Sequence, residues 1–242
     1  MPTQVYCRQW SGGMRPTSIA SLLAGHHEPS IEIDTESKTS IWCFPNEVET
    51  KEYQLIYSIL TEKELDRAGR FKHDGAKQLF VMAHAALHLL LKNRFEINYN
   101  DFTFSETEHH KPFISDKAGV KPLEYNLTHG GQWIAIITGT QSVGIDVEGK
   151  KNLKDFEGIS RIVYTELENK SVIPNKGNPD MEKFYRHWSC KEAFLKAEGT
   201  GFMQDPKGIK LNFNSHEEKQ SPMVWWADDI PGHSLAWTER AD

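Results

Sequence analysis

Thr165-Glu166-Leu167-Glu168 decides how this chain is read, because Thr61-Glu62-Lys63-Glu64 carries the same signal 104 residues earlier. In each, the threonine hydroxyl accepts from the backbone N–H three residues on, while the glutamate there reaches back. That is the capping box that opens a helix. The same shift carries Ile41, in the strand candidate Ser40-Ile41-Trp42-Cys43-Phe44, onto Ile145 in Val143-Gly144-Ile145-Asp146-Val147. It also carries Phe80, in an amphipathic helix predicted over 76–94, onto Phe184, in one predicted over 180–198. Each half then reads as strand, capped helix, long helix and further strands. Those strands are expected at Phe102–Ser105, Leu123–Leu127 and Trp133–Thr138, then at Ile209–Phe213, Met223–Trp226 and Leu235–Trp237. The expectation is an α/β (α+β) fold, a pseudo-twofold pair of similar subdomains at 37–141 and 142–242 with the active site in the cleft between them. Residues 1–36, rich in Ser, Gly, Pro and His, show no clear periodicity and are expected to form an irregular extension.

Composition narrows the function. With 38% hydrophobic and 26% charged residues, the 242-residue chain has an ordinary globular make-up. It has no apolar run near the roughly 18–20 residues that span a bilayer, and its start lacks a secretory apolar core. Cys7, Cys43 and Cys190 are odd in number and form no C-x-x-C pair, so a reducing cytoplasm is expected. A net charge of −6 argues against broad nucleic-acid binding. Lys63, Arg67, Arg70, Lys72 and Lys77 nevertheless crowd one region, either a solvated helix surface or a local anion site.

Two features carry chemistry. Along a strand at 143–148, Ile145 and Val147 point one way and Asp146 and Glu148 the other. Two carboxylates about 7 Å apart on one face repel unless a cation or donors intervene, although a solvated strand end has the same pattern. On the later long helix, Met181, Phe184, Tyr185, Trp188 and Leu195 form an apolar stripe with Glu192 inside it. An unpaired carboxylate there costs several kcal/mol. An i,i+4 pair with Lys196 returns only about 0.2–0.5 kcal/mol when exposed. A hard cation held by Asp146, Glu148 and Glu192, with Lys196 and Lys191 at its rim, is the sharper reading, and oxygen-only ligands favour Mg²⁺ (or Mn²⁺). His84 and His88 at i,i+4 lack the glutamate of a zinc protease motif and are expected to decorate a packed helix. Asn126-Leu127-Thr128-His129 leads into Gly130-Gly131, a turn able to offer hydroxyl, imidazole and N–H groups to phosphate, or a plain hairpin. Walker A, G-x-S-x-G and G-x-G-x-x-G patterns are absent.

Val143-Gly144-Ile145-Asp146-Val147-Glu148 and Trp188-Ser189-Cys190-Lys191-Glu192-Ala193-Phe194-Leu195-Lys196 resemble the two signature motifs of the 4′-phosphopantetheinyl transferases. Phe184-Tyr185 ahead of the tryptophan fits the long, surfactin-synthetase-activating type. Arg70-Phe71, Lys111-Pro112 and Asn126-Leu127-Thr128-His129 follow the family's order, so the likeness runs from about 60 to 205. The resemblance implies coenzyme A in a cleft between similar halves and Mg²⁺ on Asp146, Glu148 and Glu192. It makes Glu192 the base and Lys196 the catalytic lysine that contacts the phosphates. It places Arg67, Lys77, Lys111, Pro112, Thr128, His129 and Lys191 around the coenzyme, with His129 near the 3′-phosphate. The partner implied is an apo acyl, peptidyl or aryl carrier protein, drawn through Lys63, Arg67 and Arg70 to a monomeric enzyme without nucleic acid or membrane. Leu79 and His88 stand where family members often carry arginine, and Thr128-His129-Gly130 replaces Ser-His-Ser. A non-catalytic coenzyme A-binding protein and a Mg²⁺-dependent phosphohydrolase are the rivals.

Overall fold

A computed structural model describes residues 2–33, 39–97, 103–106, 111–115, 123–175, 178–213 and 222–240. The elements in chain order are β1 (Thr3–Gln9), α1 (Ile19–Leu23), β2 (Ile31–Glu32), β3 (Ser40–Pro45), α2 (Thr50–Tyr57), α3 (Glu62–Gly69) and α4 (Asp74–Phe95). Then come β4 (Thr103–Glu106), β5 (Pro112–Ser115), β6 (Glu124–Gly130), β7 (Trp133–Gly139) and β8 (Ser142–Gly149). The chain continues through α5 (Phe156–Val163), α6 (Glu166–Val172), α7 (Met181–Glu198), β9 (Ile209–Asn212), β10 (Met223–Ala227) and β11 (His233–Arg240). No helix among the described residues is long and apolar enough to cross a membrane.

Both capping boxes form. Thr61 caps α3 and Thr165 caps α6, each trading hydrogen bonds with the glutamate three residues on. Each short helix is followed by a long one, α4 or α7. The sheets match as well: in the orders β2-β3-β7-β6 and β8-β11-β10-β1-β9, strands β3, β7 and β6 of the first half correspond to β8, β11 and β10 of the second. The result is an α/β fold of two similar halves. Phe102 of the expected first-half strand lies outside the described residues, and β4 begins one residue later.

The amino-terminal region departs from expectation. Residues 3–9 are not irregular; β1 lies inside the second half's sheet, parallel to both neighbours, with Tyr6 opposite Met223 and Thr3 opposite Ile209. Val5 and Cys7 explain it, because they pack with Cys190, Ala193 and Phe194 under α7. Ser18 caps α1, whose Ile19 and Leu22 join the core under α4, and Ile31 pairs with Ile41 at the first sheet's edge.

Two glycines set how closely the halves meet. A Cβ on Gly130 of β6 would fall 2.0 Å from the Val147 carbonyl oxygen, so glycine there lets β6 abut β8. The Asn126 amide oxygen then accepts from the Ile145 N–H at 3.0 Å, tying the facing edges of the two sheets. A Cβ on Gly144 of β8 would fall 2.1 Å from the Ala193 carbonyl oxygen, so α7 lies directly on the strand. Between the sheets, Ile41, Cys43, Ala135 and Ile137 pack against Val143, Ile145, Val147 and Trp237 as one shared core.

Candidate active site

Five elements converge on a cleft of about 390 Å³. β8 supplies Asp146 and Glu148, α7 supplies Glu192 and Lys196, and β6 supplies Leu127, Thr128 and His129. Arg67 comes from α3, Phe80 and His84 from α4. The close seating of α7 on Gly144 and of β6 on Val147 brings these groups together.

Asp146 is buried at 2% exposure. Its Oδ1 accepts from Lys196 Nζ at 2.7 Å and from Thr128 Oγ1 at 3.4 Å, and Lys196 also donates to Thr128 at 3.1 Å. Its Oδ2 is buried without a protein partner. Burial, and then the charge of Asp146, pushes Glu148 up to about 7, against the pull of Lys196 and a hydrogen bond from the Trp188 side chain. Glu192 is likewise pushed up to about 7 by burial and by Asp146, with Lys196 opposing. Lys196, with Lys151 acting on Glu148, supplies too little positive charge to hold the two glutamates at the ordinary carboxylate value.

Oxygen donors, a buried acceptor without a partner and two carboxylates that resist ionisation are groups that could hold a hard cation. Among the described residues no three His, Cys, Asp or Glu side chains close into a ready-made cage.

The opposite wall carries Arg67, His84 and His129. Burial lowers the His129 pKa against a backbone hydrogen bond that raises it, and Lys196, His84 and Arg67 lower it further. The Arg67 guanidinium stands 5.2 Å from the Phe80 ring centroid. His84 Nδ1 lies 2.7 Å from Glu64 Oε1, and His88 Nε2 lies 3.0 Å from both carboxylate oxygens. Burial works against ionising Glu64, but these bonds outweigh it and hold Glu64 well below the usual carboxylate range, so both nitrogens facing it are donors.

Several expected ligands lie elsewhere. Lys191 is a correction: at 1% exposure its ammonium donates to the Val163, Pro206 and Ile209 carbonyls and pairs with Glu168 at 2.8 Å. It braces α7 against α6, on the side turned from the cleft. Lys77 is another, its ammonium 5.5 Å from the Tyr57 ring in a separate hollow beside α2. Lys111 is buried, bound to Ser142 Oγ at 2.8 Å, the Ala197 carbonyl at 3.1 Å and Glu124 at 3.1 Å. Pro112 is exposed at the start of β5, and neither it nor Lys111 lines the cleft.

His84 was missed. Its signal was Glu64: a capping-box glutamate twenty residues ahead of one histidine and twenty-four ahead of another is placed to tether the long helix. A larger hollow of about 790 Å³ lies on the other side of α7, but its acidic groups are already paired, Asp228 with Arg186 and Glu168 with Lys191. The unbalanced charges are in the smaller cleft.

Comparison with known proteins agrees with this geometry. Residues 142–239 match the family model of the 4′-phosphopantetheinyl transferase superfamily, and residues 47–141 match that of the 4′-phosphopantetheinyl transferase N-terminal domain. The 4′-phosphopantetheinyl transferase Sfp of Bacillus subtilis (strain 168) is 24% identical over 151 residues, covering 62% of this chain and 65% of Sfp. HetI of Nostoc sp. PCC 7120, also a 4′-phosphopantetheinyl transferase, is 27% identical over 165 residues, 66% of this chain and 68% of HetI. The L-aminoadipate-semialdehyde dehydrogenase-phosphopantetheinyl transferase of Xenopus laevis is 23% identical over 169 residues, 66% of this chain and 55% of that protein. The two models adjoin at β8, the strand that carries Asp146 and Glu148, and the chain belongs to the 4′-phosphopantetheinyl transferase superfamily.

Proposed function

We propose that this protein transfers 4′-phosphopantetheine from coenzyme A to a serine hydroxyl of an apo acyl, peptidyl or aryl carrier protein, releasing adenosine 3′,5′-bisphosphate. The observation that carries the reading is the pairing of an acidic floor, Asp146, Glu148 and Glu192, with an opposite wall of Arg67, His84 and His129. A pyrophosphate donor needs both.

Asp146, Glu148 and Glu192 would hold Mg²⁺, which when bound supplies positive charge to the pyrophosphate oxygens. Glu192 takes the proton from the serine hydroxyl directly or through a water it orients. The serine oxygen forms a bond to the β-phosphorus while the bond from that phosphorus to the bridging oxygen breaks. The electron pair leaves with adenosine 3′,5′-bisphosphate, and the Lys196 ammonium steadies the negative charge that develops there. Thr128 holds Lys196 in place. An acidic helix on the carrier is drawn to Lys63, Arg67 and Arg70 on α3 and its end, and the enzyme works as a cytoplasmic monomer.

The test is to incubate the protein with coenzyme A, Mg²⁺ and a panel of apo carriers and to weigh the carriers. A gain of one phosphopantetheinyl group supports transfer. Coenzyme A cleaved without a carrier product favours hydrolysis, and bound coenzyme A with neither product favours a binding protein.

A further inference from the structure

The cleft lining divides by element. β8 and α7 bring Asp146, Glu148 and Glu192, while α3, α4 and the end of β6 bring Arg67, His84 and His129, and Lys196 bonds to both Asp146 and Thr128. A terminal phosphomonoester carries about 1.5 to 2 negative charges. The wall that holds Arg67 suits it.

On that side the first long helix contributes neither of the groups expected of it. Lys77 is turned to Tyr57, and Leu79 is apolar. What α4 does present to the cleft, besides Phe80, is His84, with 23% of its side chain exposed. Its ring is fixed on two sides: Nδ1 donates to Glu64 at 2.7 Å, and the Phe80 ring lies 4.2 Å away, centroid to centroid. With Nδ1 committed to Glu64, Nε2 is the nitrogen left for a ligand.

We propose that His84 is a specificity-determining residue that donates through Nε2 to the 3′-phosphate of the donor, filling from α4 the role that Lys77 and Leu79 do not. This rests on reading the cleft as a coenzyme A site. With phosphate at Nε2 and Glu64 at Nδ1, the ring faces an anion on each side, an arrangement that favours charge-assisted hydrogen bonds. Glu64 meanwhile keeps the imidazole from turning.

Calorimetric titration with adenosine 3′,5′-bisphosphate and with adenosine 5′-monophosphate separates the ideas. The wild type should prefer the bisphosphate. His84→Gln should cut that preference about tenfold by weakening only the bisphosphate, and His84→Arg should largely keep it. An unchanged preference in His84→Gln overturns the proposal, as does equal loss of both ligands, which marks the ring as structural. If the wild type binds neither nucleotide, the coenzyme A reading itself falls. Should His84→Gln fail to fold, ¹⁵N spectra of the wild type decide: Nε2 of His84 should shift with bisphosphate and not with monophosphate, and the absence of that difference overturns the assignment.

Discussion

Replacing Gly144 with alanine puts one methyl group between the strand and the helix that make the active site. The added Cβ would lie 2.1 Å from the Ala193 carbonyl oxygen and 2.5 Å from the Ala197 nitrogen, where real Cβ atoms keep at least 3.0 Å. Both obstacles are backbone. β8 is held along its whole length by β11 and on its other edge by Asn126, so the helix must give way. Closing the gap of roughly 0.9 Å lifts α7, and Glu192 and Lys196 go with it. The Lys196–Asp146 contact, 2.7 Å now, would stretch past hydrogen-bonding range. A misplacement of about 1 Å costs on the order of 100-fold in rate, and overpacking costs about 1–3 kcal/mol in stability. For a chain of this size that is a fall in Tm of roughly 2–12 °C. The assay is kcat/KM for transfer to a carrier alongside thermal unfolding. Gly208→Ala, where nothing lies within 4 Å of the new Cβ, is the control. Activity within threefold of wild type in Gly144→Ala would refute the claim that this contact sets the site's geometry.

Asp146→Ala should abolish transfer while holding Tm within a few degrees, because it removes a buried oxygen without a protein partner along with the acceptor of Lys196; activity within a few-fold of wild type removes Asp146 from the ligand set. Glu192→Gln should lose turnover and gain stability in chelator-treated protein above neutral pH. A carboxyl raised to about 7 when folded binds its proton more tightly than the unfolded chain does, so stability falls as pH rises from about 4.5 towards 7. Unfolding curves from pH 5 to 8 should be flatter in Glu192→Gln than in wild type, and equal slopes count against the assignment. Lys191→Met should destabilise by about 3–5 kcal/mol by stranding Glu168, while the folded fraction keeps the wild-type affinity for coenzyme A; a selective affinity loss would return Lys191 to the binding site. Lys77→Ala should leave that affinity within about twofold, as measured by calorimetry.

What could be read from the sequence was whatever local periodicity records. Capping boxes mark the starts of α3 and α6, strand alternation puts Asp146 and Glu148 on one face, and helical phase puts Glu192 among aromatic neighbours. Each depends on residues within a few positions of one another. The misreadings all depend on distant ones. Thr3–Gln9 has only two buried positions, Val5 and Cys7, and becomes a strand because β9 and β10 leave a gap for it. Lys191 looks like a rim cation along α7, but the opposing surface offers it three carbonyls and Glu168. His84 looks like helix decoration until Glu64 aims it. Charge counting alone cannot tell Lys77 from Arg67, because the difference is made by the position of Tyr57.

The placement of β1 also bears on how the molecule is made. A ribosome releases residues 3–9 about two hundred residues before their hydrogen-bonding partners at 209–212 and 223–226. Parallel pairing across so long a separation is the slow kind, since the loop must close before any contact rewards it. Until then the second sheet lacks an inner strand, and β9 and β10 each expose an unpaired backbone edge, the kind of surface that recruits foreign strands. Cutting the gene between the halves would not yield two self-sufficient units, because the second half would have to borrow β1 from the first.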